Sequence, residues 1–297
     1  MHYLIAPGLL TSAPVRTALL IGALVAVTSG VIGVFTVIRG QSFAGHSLAD
    51  VATTGGAGAF LAGLNQFWGF LAAGAAAALL MESIGVQRRR GRDVATGVVL
   101  GGALGLAALF LYLGTLKTAA TGASFTILFG SIFLVSPGTV PVIVAAGVIA
   151  LLATAALARM LLLTSISPDI AASRGVNVRL VGIAYLVALA IDVSLSAVAI
   201  GAVLSTALLI GPAATALRVA KSPGRAMAVA AGTGLTATWI GIVLAYDSYY
   251  WPPHGHGWPV SFFVVALVLV GYLLSYARKP RRLLPRSPHE GAECSPA

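Results

Sequence analysis

The chain has 297 residues, of which 58% are hydrophobic and only 9% are charged, whereas soluble domains carry about 25% charged residues. Long apolar runs with so few charges exclude a soluble globular domain and predict an all-α, polytopic helical membrane protein. A transmembrane β-barrel is excluded because the apolar runs are continuous and do not alternate with polar residues.

The formal net charge of +10 would suit a nucleic-acid partner, but the positions of the basic residues argue against one. These residues form short clusters beside the apolar runs, at 88–92, 218–225 and 278–282. Clusters of this kind anchor membrane proteins on the cytoplasmic side. We therefore expect a lipid bilayer and no nucleic acid as a partner, with the C-terminus in the cytoplasm.

The apolar runs predict about eight to nine transmembrane helices. In chain order they are expected near residues 17–38, 43–64, 67–86, 94–116, 139–163, 180–217 (as two helices), 226–246 and 259–277. Residues 117–138 predict a loop with a short or partly inserted helix. The run at 180–217 is too long for one span, and the polar residues Asp192, Ser194 and Ser196 predict a turn near 192–198.

Sequence motifs for catalysis are absent from the chain. It has no GxxxxGK[ST] phosphate loop, so it cannot hydrolyse a nucleotide by that route. It has no GxSxG or HExxH motif, and its one cysteine, Cys294, provides neither a disulfide framework nor a cysteine metal cluster. We therefore expect no enzyme, and any ATP hydrolysis that drives this protein belongs to another chain.

An ionisable pair interrupts the apolar sequence between residues 39 and 58. His46 and Asp50 are four residues apart, so a helix places them on one face. Imidazole and carboxylate are suitable ligands for Mn²⁺, Zn²⁺ and Fe²⁺. An ionisable pair within a membrane helix indicates a functional site. The alternative is a hydrogen-bonded pair that fixes the packing of this helix.

Hydroxyls and glycines flank the pair. The hydroxyls lie about one turn to either side of it, at Ser42, Thr53 and Thr54. They either line a polar path or bond to the backbone of their own helix. Three glycines that follow predict close contact with a neighbouring helix in preference to a bend: Gly55, Gly56 and Gly58.

Four segments together resemble the manganese/zinc/iron family of ABC-importer permeases. They are VIRGQSFAGHSLADVATTGG at 37–56, LFGSIFLVS at 128–136, SPDIAASRGV at 167–176 and AIGAVLSTALLIGPAATA at 199–216. The last is the most specific, because Gly201 and Pro212 fall in register with the family pattern. The family carries Asp before His in the first segment, whereas His46 precedes Asp50 here. This inversion keeps the spacing and the helix face.

The resemblance implies a single transmembrane permease domain over residues 1–285, with a cobalamin-importer-like architecture and a disordered cytoplasmic tail at 286–297. It implies a multi-pass protein of the bacterial inner (plasma) membrane that works as a homodimer. A cytoplasmic ABC ATPase dimer would drive it, and an extracytoplasmic metal-binding protein would deliver manganese, zinc or iron. The metal would be cargo, so no permanently bound cofactor is expected.

Two loops acquire expected roles from this resemblance. Residues 164–179 form the longest polar stretch between spans, with a helix start at Ser167 and a stop at Gly175. This stretch is the expected ATPase-coupling element, through Pro168, Asp169, Ala171, Arg174 and Gly175. The loop PPHGHG is expected outside the cell, where His254 and His256 either capture metal or are simply solvated.

Two other acidic residues are expected to have structural roles. Glu82 is expected to pair with the arginines at 88–92, and Asp192 is expected at an outer turn. Two functional alternatives also stay open. One is an ABC permease for metal chelates such as a siderophore or cobalamin. The other is a secondary transporter in which His46 and Asp50 relay protons.

Overall fold

The described structure is entirely helical. It is a computed structural model that describes residues 12–83, 92–118, 121–130, 132–251 and 257–277. The expected tail at 286–297 and the arginines at 88–90 lie outside the described residues. Within the described ranges no residue forms a β-strand, in agreement with the predicted all-α class.

Eleven α-helices and one short 3₁₀-helix make up the described chain. The α-helices are α1 (Ala13–Ile38), α2 (Ser42–Leu61), α3 (Gln66–Ser83), α4 (Arg92–Thr118), α5 (Thr121–Phe129), α6 (Val140–Ile166), α7 (Pro168–Ser173), α8 (Val178–Ile200), α9 (Ser205–Val219), α10 (Pro223–Ser248) and α11 (Val260–Tyr276). The 3₁₀-helix spans Ile132–Leu134 between α5 and α6.

Nine of these described helices have 15 or more residues, which matches the predicted number of spans. Five of them, α1, α4, α6, α8 and α10, are long and apolar enough to cross a membrane. Three shorter apolar helices are α3, α9 and α11. The ninth is α2, a 20-residue helix that carries the polar stripe. The loop expected at 117–138 contains the short helix α5, as predicted.

Helix α8 lies at the centre of the bundle, where it contacts α1, α2, α3 and α6. Most of α1 and α8 is buried, whereas only a small part of α4 and α6 is buried. The buried residues Tyr185, Leu186 and Leu189 of α8 contribute to one core cluster together with Leu48 and Ala49 of α2. The helix that carries the ionisable pair is therefore packed directly against the central helix.

The turn within residues 180–217 lies further along the chain than predicted. Helix α8 continues through 192–198 and ends at Gly201, whose φ is +90°. The backbone of Gly201 is so close to α5 that a Cβ there would lie 2.3 Å from the carbonyl oxygen of Leu128. The expected turn was wrong because the polar residues taken to mark it are satisfied inside the bundle.

Close packing of α2 against α3 depends on glycine, as predicted. A Cβ on Gly55 would lie 2.2 Å from the carbonyl oxygen of Gly69 and 2.3 Å from Cβ of Ala73. A Cβ on Gly56 would lie 2.7 Å from the ring of Phe70. These contacts fix how far α2 lies from α3 and therefore where its polar residues are placed.

Candidate metal site

The polar stripe begins at a sharp reversal between α1 and α2. Gly40 adopts φ +63°, a conformation that suits glycine because it has no Cβ. The backbone N–H of Gln41 donates to the carbonyl of Thr36 at 2.9 Å, and the N–H of Gly45 donates to the carbonyl of Gln41 at 3.0 Å. This turn starts α2 at Ser42, so His46 lies about one turn and Asp50 about two turns into the helix.

His46 and Asp50 face each other, as their spacing predicts. Nε2 of His46 lies 3.6 Å from Oδ2 of Asp50. The two side chains have different environments, because the imidazole is 45% exposed and the carboxylate only 8%. The pair therefore has a buried acidic end and an end that is open to the surface of the single chain.

The buried end of the pair is a carboxylate oxygen close to His46 but outside hydrogen-bond distance of it. Oδ2 of Asp50 is buried and accepts no hydrogen bond from any described residue. A buried carboxylate oxygen without a donor is costly unless a cation or a donor completes its surroundings. Within the described parts of the chain, no group of three or more His, Cys, Asp and Glu residues is gathered at one place. One protomer therefore offers only two ligands here.

The hydroxyls that follow the pair, those of Thr53 and Thr54, donate hydrogen bonds to backbone carbonyls. Thr53 donates to Ala49 of its own helix at 2.7 Å. Thr54 donates to Asp50 at 3.2 Å and to Ala103 of α4 at 2.7 Å. Of the two alternatives, bonding to the backbone is thus the one observed for both threonines, and Thr54 also ties α2 to α4.

The coupling segment, residues 164–179, contains the short helix that its sequence predicts. The side chain of Ser167 accepts a hydrogen bond from the N–H of Ile170 at 3.4 Å, which caps the start of α7. Pro168 is the first residue of the helix, Asp169 lies in its first turn, and Gly175, with φ +78°, follows the end of the helix.

One residue of the coupling segment, Ala171, does not lie at the surface that is expected for it. Ala171 is fully buried, whereas a contact face for a partner has to be exposed. The exposed apolar residue is its neighbour Ile170, with Ile166 exposed just before the segment's cap. Sequence reasoning overlooked Ile170, although its position next to Asp169 in a capped helix could have indicated exposure. Pro168, Asp169, Arg174 and Gly175 are exposed, as a contact surface requires.

The loop between α10 and α11 is bordered by aromatic side chains. Trp258 stacks on Phe263 with ring centroids 6.0 Å apart, and Trp251 meets Trp258 edge-to-face at 6.3 Å. Tyr249 and Tyr250 are exposed beside them, as expected of a membrane interface. His254 and His256 lie outside the described residues, so their expected role stays a prediction.

Asp192 is a buried residue in the second half of α8, in contrast to the outer turn expected for it. It is fully buried, and both carboxyl oxygens lie near Oγ of Ser29 in α1, at 3.0 and 3.1 Å. Ser29 also lies 3.0 Å from Oγ of Ser196. The three polar side chains satisfy one another and hold α8 against α1.

Glu82 lies at the end of α3, where it is largely buried. Among the described residues it interacts electrostatically with Arg179 and Arg39. Its expected partners at 88–90 are outside the described residues. Acidic and basic groups of α3, α8 and the end of α1 therefore lie near one another at the end of the bundle where α2 begins.

Comparison with known proteins decides the family. The model of the ABC 3 transport family matches residues 12–275, which is nearly the whole described chain. The chain belongs to the ABC 3 transport family. Membership of this family makes the chain a permease, a multi-pass membrane component of a transporter. The predicted resemblance is confirmed.

Individual relatives agree with the family. The permease is 33% identical over 233 residues to the manganese import system permease protein ScaB of Streptococcus pneumoniae, a match that covers 78% of this chain and 81% of that one. It is 28% identical over 207 residues to the high-affinity zinc uptake system membrane protein ZnuB of Haemophilus influenzae, covering 69% and 78%.

A solved structure has the same fold. PsaBC from Streptococcus pneumoniae, determined in complex with a Fab, has a chain that superposes with a TM-score of 0.79 at 25% sequence identity. The match covers 93% of the permease and 95% of that chain. The similarity therefore extends over the complete helical bundle, and the predicted ABC-permease architecture is confirmed.

Proposed function

We propose that this permease forms the membrane pathway of an ATP-driven importer of divalent transition-metal ions, with manganese, zinc or iron as cargo. The observation that carries the proposal is the His46–Asp50 pair on α2, with its buried carboxylate oxygen that accepts no hydrogen bond from the described residues. Imidazole nitrogen and carboxylate oxygen suit these metals. Relatives that import manganese and zinc support the choice of cargo.

The site is completed by a second copy of the chain. Two ligands from one protomer are too few for a transition metal, which takes four or more. His46 is half-exposed on the single chain, which leaves it accessible to a partner. Two copies related by a two-fold axis would supply two imidazoles and two carboxylates. A mixed site of this kind binds the ion and still allows its release.

Other chains supply the energy and the metal. ATP hydrolysis takes place on a cytoplasmic ATPase dimer, because this permease has no phosphate loop of its own. The coupling segment contacts that ATPase through its exposed residues, Pro168, Asp169, Arg174 and Gly175, and Ala171 supports α7 from inside. An extracytoplasmic binding protein delivers the metal at the opposite end, where His254 and His256 assist its capture.

The transport cycle follows from this arrangement. The metal reaches the paired His46 and Asp50 side chains from outside and is held there briefly. Closure of the ATPase dimer moves the two coupling segments, and the helices packed against them rearrange. The pathway then opens toward the cytoplasm, where the permease also has its C-terminus, and the metal leaves.

Removal of both ligands tests the metal site. In membrane vesicles that contain the permease and its ATPase, the double variant His46→Ala/Asp50→Ala should lose uptake of radioactive Mn²⁺, Zn²⁺ and Fe²⁺. ATPase assembly should persist, because the pair lies on α2 and not in the coupling segment. Ser47→Ala is a matched control, since the hydroxyl of Ser47 bonds, among the described residues, only to the carbonyl of Phe43 in the same helix.

Two outcomes would contradict this assignment. Unchanged uptake in the double variant would remove His46 and Asp50 from the pathway. Uptake of an intact metal chelate that free Mn²⁺ or Zn²⁺ does not compete with would replace the cargo by a chelate. Membership of an ABC transport family already counts against proton-driven secondary transport, and uptake by the permease alone in a proton gradient would restore that alternative.

A further inference from the structure

We propose that Arg39 is a positioning residue that transmits movement of the coupling segment to α2, the helix that carries His46 and Asp50. The inference rests on the proposed function, because it requires that the coupling segment contacts an ATPase. It adds a residue that binds neither the metal nor the ATPase and acts through its neighbours.

Arg39 lies directly between α1 and α2. Its backbone N–H donates to the carbonyl of Phe35 at 2.9 Å and so ends α1. Gly40 then reverses the chain, and Gln41 precedes the first residue of α2. A shift of Arg39 therefore reaches the start of α2 through only two intervening residues.

The guanidinium bridges α6 to the start of α2. Nη1 of Arg39 donates to Oγ1 of Thr164 at 2.9 Å, and Nε donates to Oε1 of Gln41 at 3.3 Å. Thr164 is buried in the last turn of α6, three residues before Ser167, which caps α7. One planar cation thus binds both the helix that leads into the coupling segment and the residue that starts α2.

The same guanidinium also contacts the helix that leaves the coupling segment. Its central carbon lies 5.2 Å from the ring centroid of Tyr185 in α8, a distance typical of a cation–π contact. Tyr185 is fully buried and its hydroxyl lies 2.7 Å from Oγ1 of Thr36 in α1. Arg39 therefore contacts both helices that flank the coupling segment.

Burial makes the contacts of Arg39 costly to break. Desolvation lowers the pKa of Arg39, while Tyr185 and Glu82 act in the opposite direction and favour its charge. A guanidinium stays charged in proteins, so one that is partly removed from water strongly prefers to keep its acceptors. When the coupling segment moves α6 and α8, Arg39 is drawn along with them, and Gln41 and the start of α2 follow.

Arginine is required here because of its geometry. The planar fork presents Nε and Nη1 in fixed directions, so one side chain can serve Gln41 and Thr164 and still lie over the ring of Tyr185. A lysine ammonium is a point charge on a flexible stem and does not reproduce this arrangement.

The decisive measurement is the number of metal ions imported per ATP hydrolysed. The permease is reconstituted with its ATPase in proteoliposomes, and ⁵⁴Mn²⁺ uptake and phosphate release are measured in the same sample. Thr164→Val removes the acceptor for Nη1 at nearly constant side-chain volume. We expect its ATP hydrolysis to stay within about twofold of wild type and its ions per ATP to fall by about tenfold, because a bond to a charged donor is lost.

Three further variants make the measurement specific. Thr164→Ser keeps the hydroxyl and should restore the wild-type ratio. Thr154→Val removes another buried hydroxyl of α6, whose hydrogen bond within the described structure is to the carbonyl of Ala150 in the same helix, and should leave the ratio unchanged. Arg39→Lys keeps the charge and loses the fork, and should uncouple uptake from hydrolysis as Thr164→Val does.

The outcomes separate this inference from the proposed function. An unchanged ratio in both Thr164→Val and Arg39→Lys would overturn the role of Arg39. A parallel fall of hydrolysis and uptake in both would do so as well, since it indicates a structural role. A wild-type complex that hydrolyses ATP but imports no metal would overturn the proposed function, and this inference with it.

Discussion

His46 and Asp50 lie on one face of α2 but in different surroundings. The carboxylate is fixed inside the bundle, and the imidazole is half-exposed where a second protomer can approach. The proposed site therefore has a buried hard ligand and a borderline one at its margin.

Variants that make the two ligands alike test this division. Asp50→His gives a pair of imidazoles, which should favour Zn²⁺, and His46→Asp gives a pair of carboxylates, which should favour Mn²⁺. We expect the ratio of Zn²⁺ to Mn²⁺ uptake to rise in the first variant and fall in the second, each on the order of tenfold. The same ratio in both variants would show that this pair does not select the metal.

Asp192 offers a prediction about stability. Asp192→Asn keeps a side chain of the same shape that can bond to Ser29, so it should unfold in detergent at close to the wild-type temperature. Asp192→Ala removes the link between α8 and α1 and should lower the free energy of unfolding by about 1 kcal/mol. Ser194→Ala is the control, because the buried hydroxyl of Ser194 donates to the carbonyl of Ala190 within α8 and to no other helix that the structure describes. Equal stability of the Asn and Ala variants would contradict this role.

The difference between His46 and Asp192 shows what a single sequence can predict about residues. His46 and Asp50 could be predicted as a pair because they are close in sequence and lie on one helix. The partner of Asp192 is Ser29, 163 positions away, so nothing nearby in the sequence indicates that its carboxyl group is satisfied. The exposed position of Ile170 and the buried one of Ala171 likewise depend on tertiary packing.

At the scale of helices, the distance between α2 and α3 is set by glycine. Gly55→Ala should displace α2, because its Cβ would lie 2.2 Å from a backbone oxygen of α3. Metal uptake should fall by at least about tenfold, since small displacements of a site are costly. Gly58→Ala is the matched control on the same helix, because its Cβ would meet Phe110 at an ordinary 3.5 Å. Comparable uptake of the two variants would contradict this dependence on packing.

Most helices could be predicted from apolar runs, since a span needs about 20 apolar residues whatever its neighbours are. The capped helix α7 was predictable from Ser167, Pro168 and Gly175. The end of α8 was not, because it depends on the close approach of Gly201 to the backbone of α5. A glycine within an apolar run has no local signature that separates a turn from a helix contact.

At the scale of the whole transporter, a site shared by two protomers has a numerical consequence. We expect co-expression of equal amounts of wild type and His46→Ala/Asp50→Ala to give dimers of which about one quarter keep all four ligands of the shared site. If all four ligands are needed, uptake should fall to about a quarter of the wild-type level. Uptake of about one half would show that each protomer binds metal independently.

The unbroken length of the central helix has a mechanical consequence. Helix α8 has 23 residues, so it is about 35 Å long and can move as one lever. Its first turn follows the coupling segment, and Gly201 at its other end lies against the backbone of α5. A tilt of about 5° about the first turn displaces the end at Gly201 by about 3 Å. A small movement beside the coupling segment can therefore change the contact with α5 at the opposite end of α8 without any change of secondary structure.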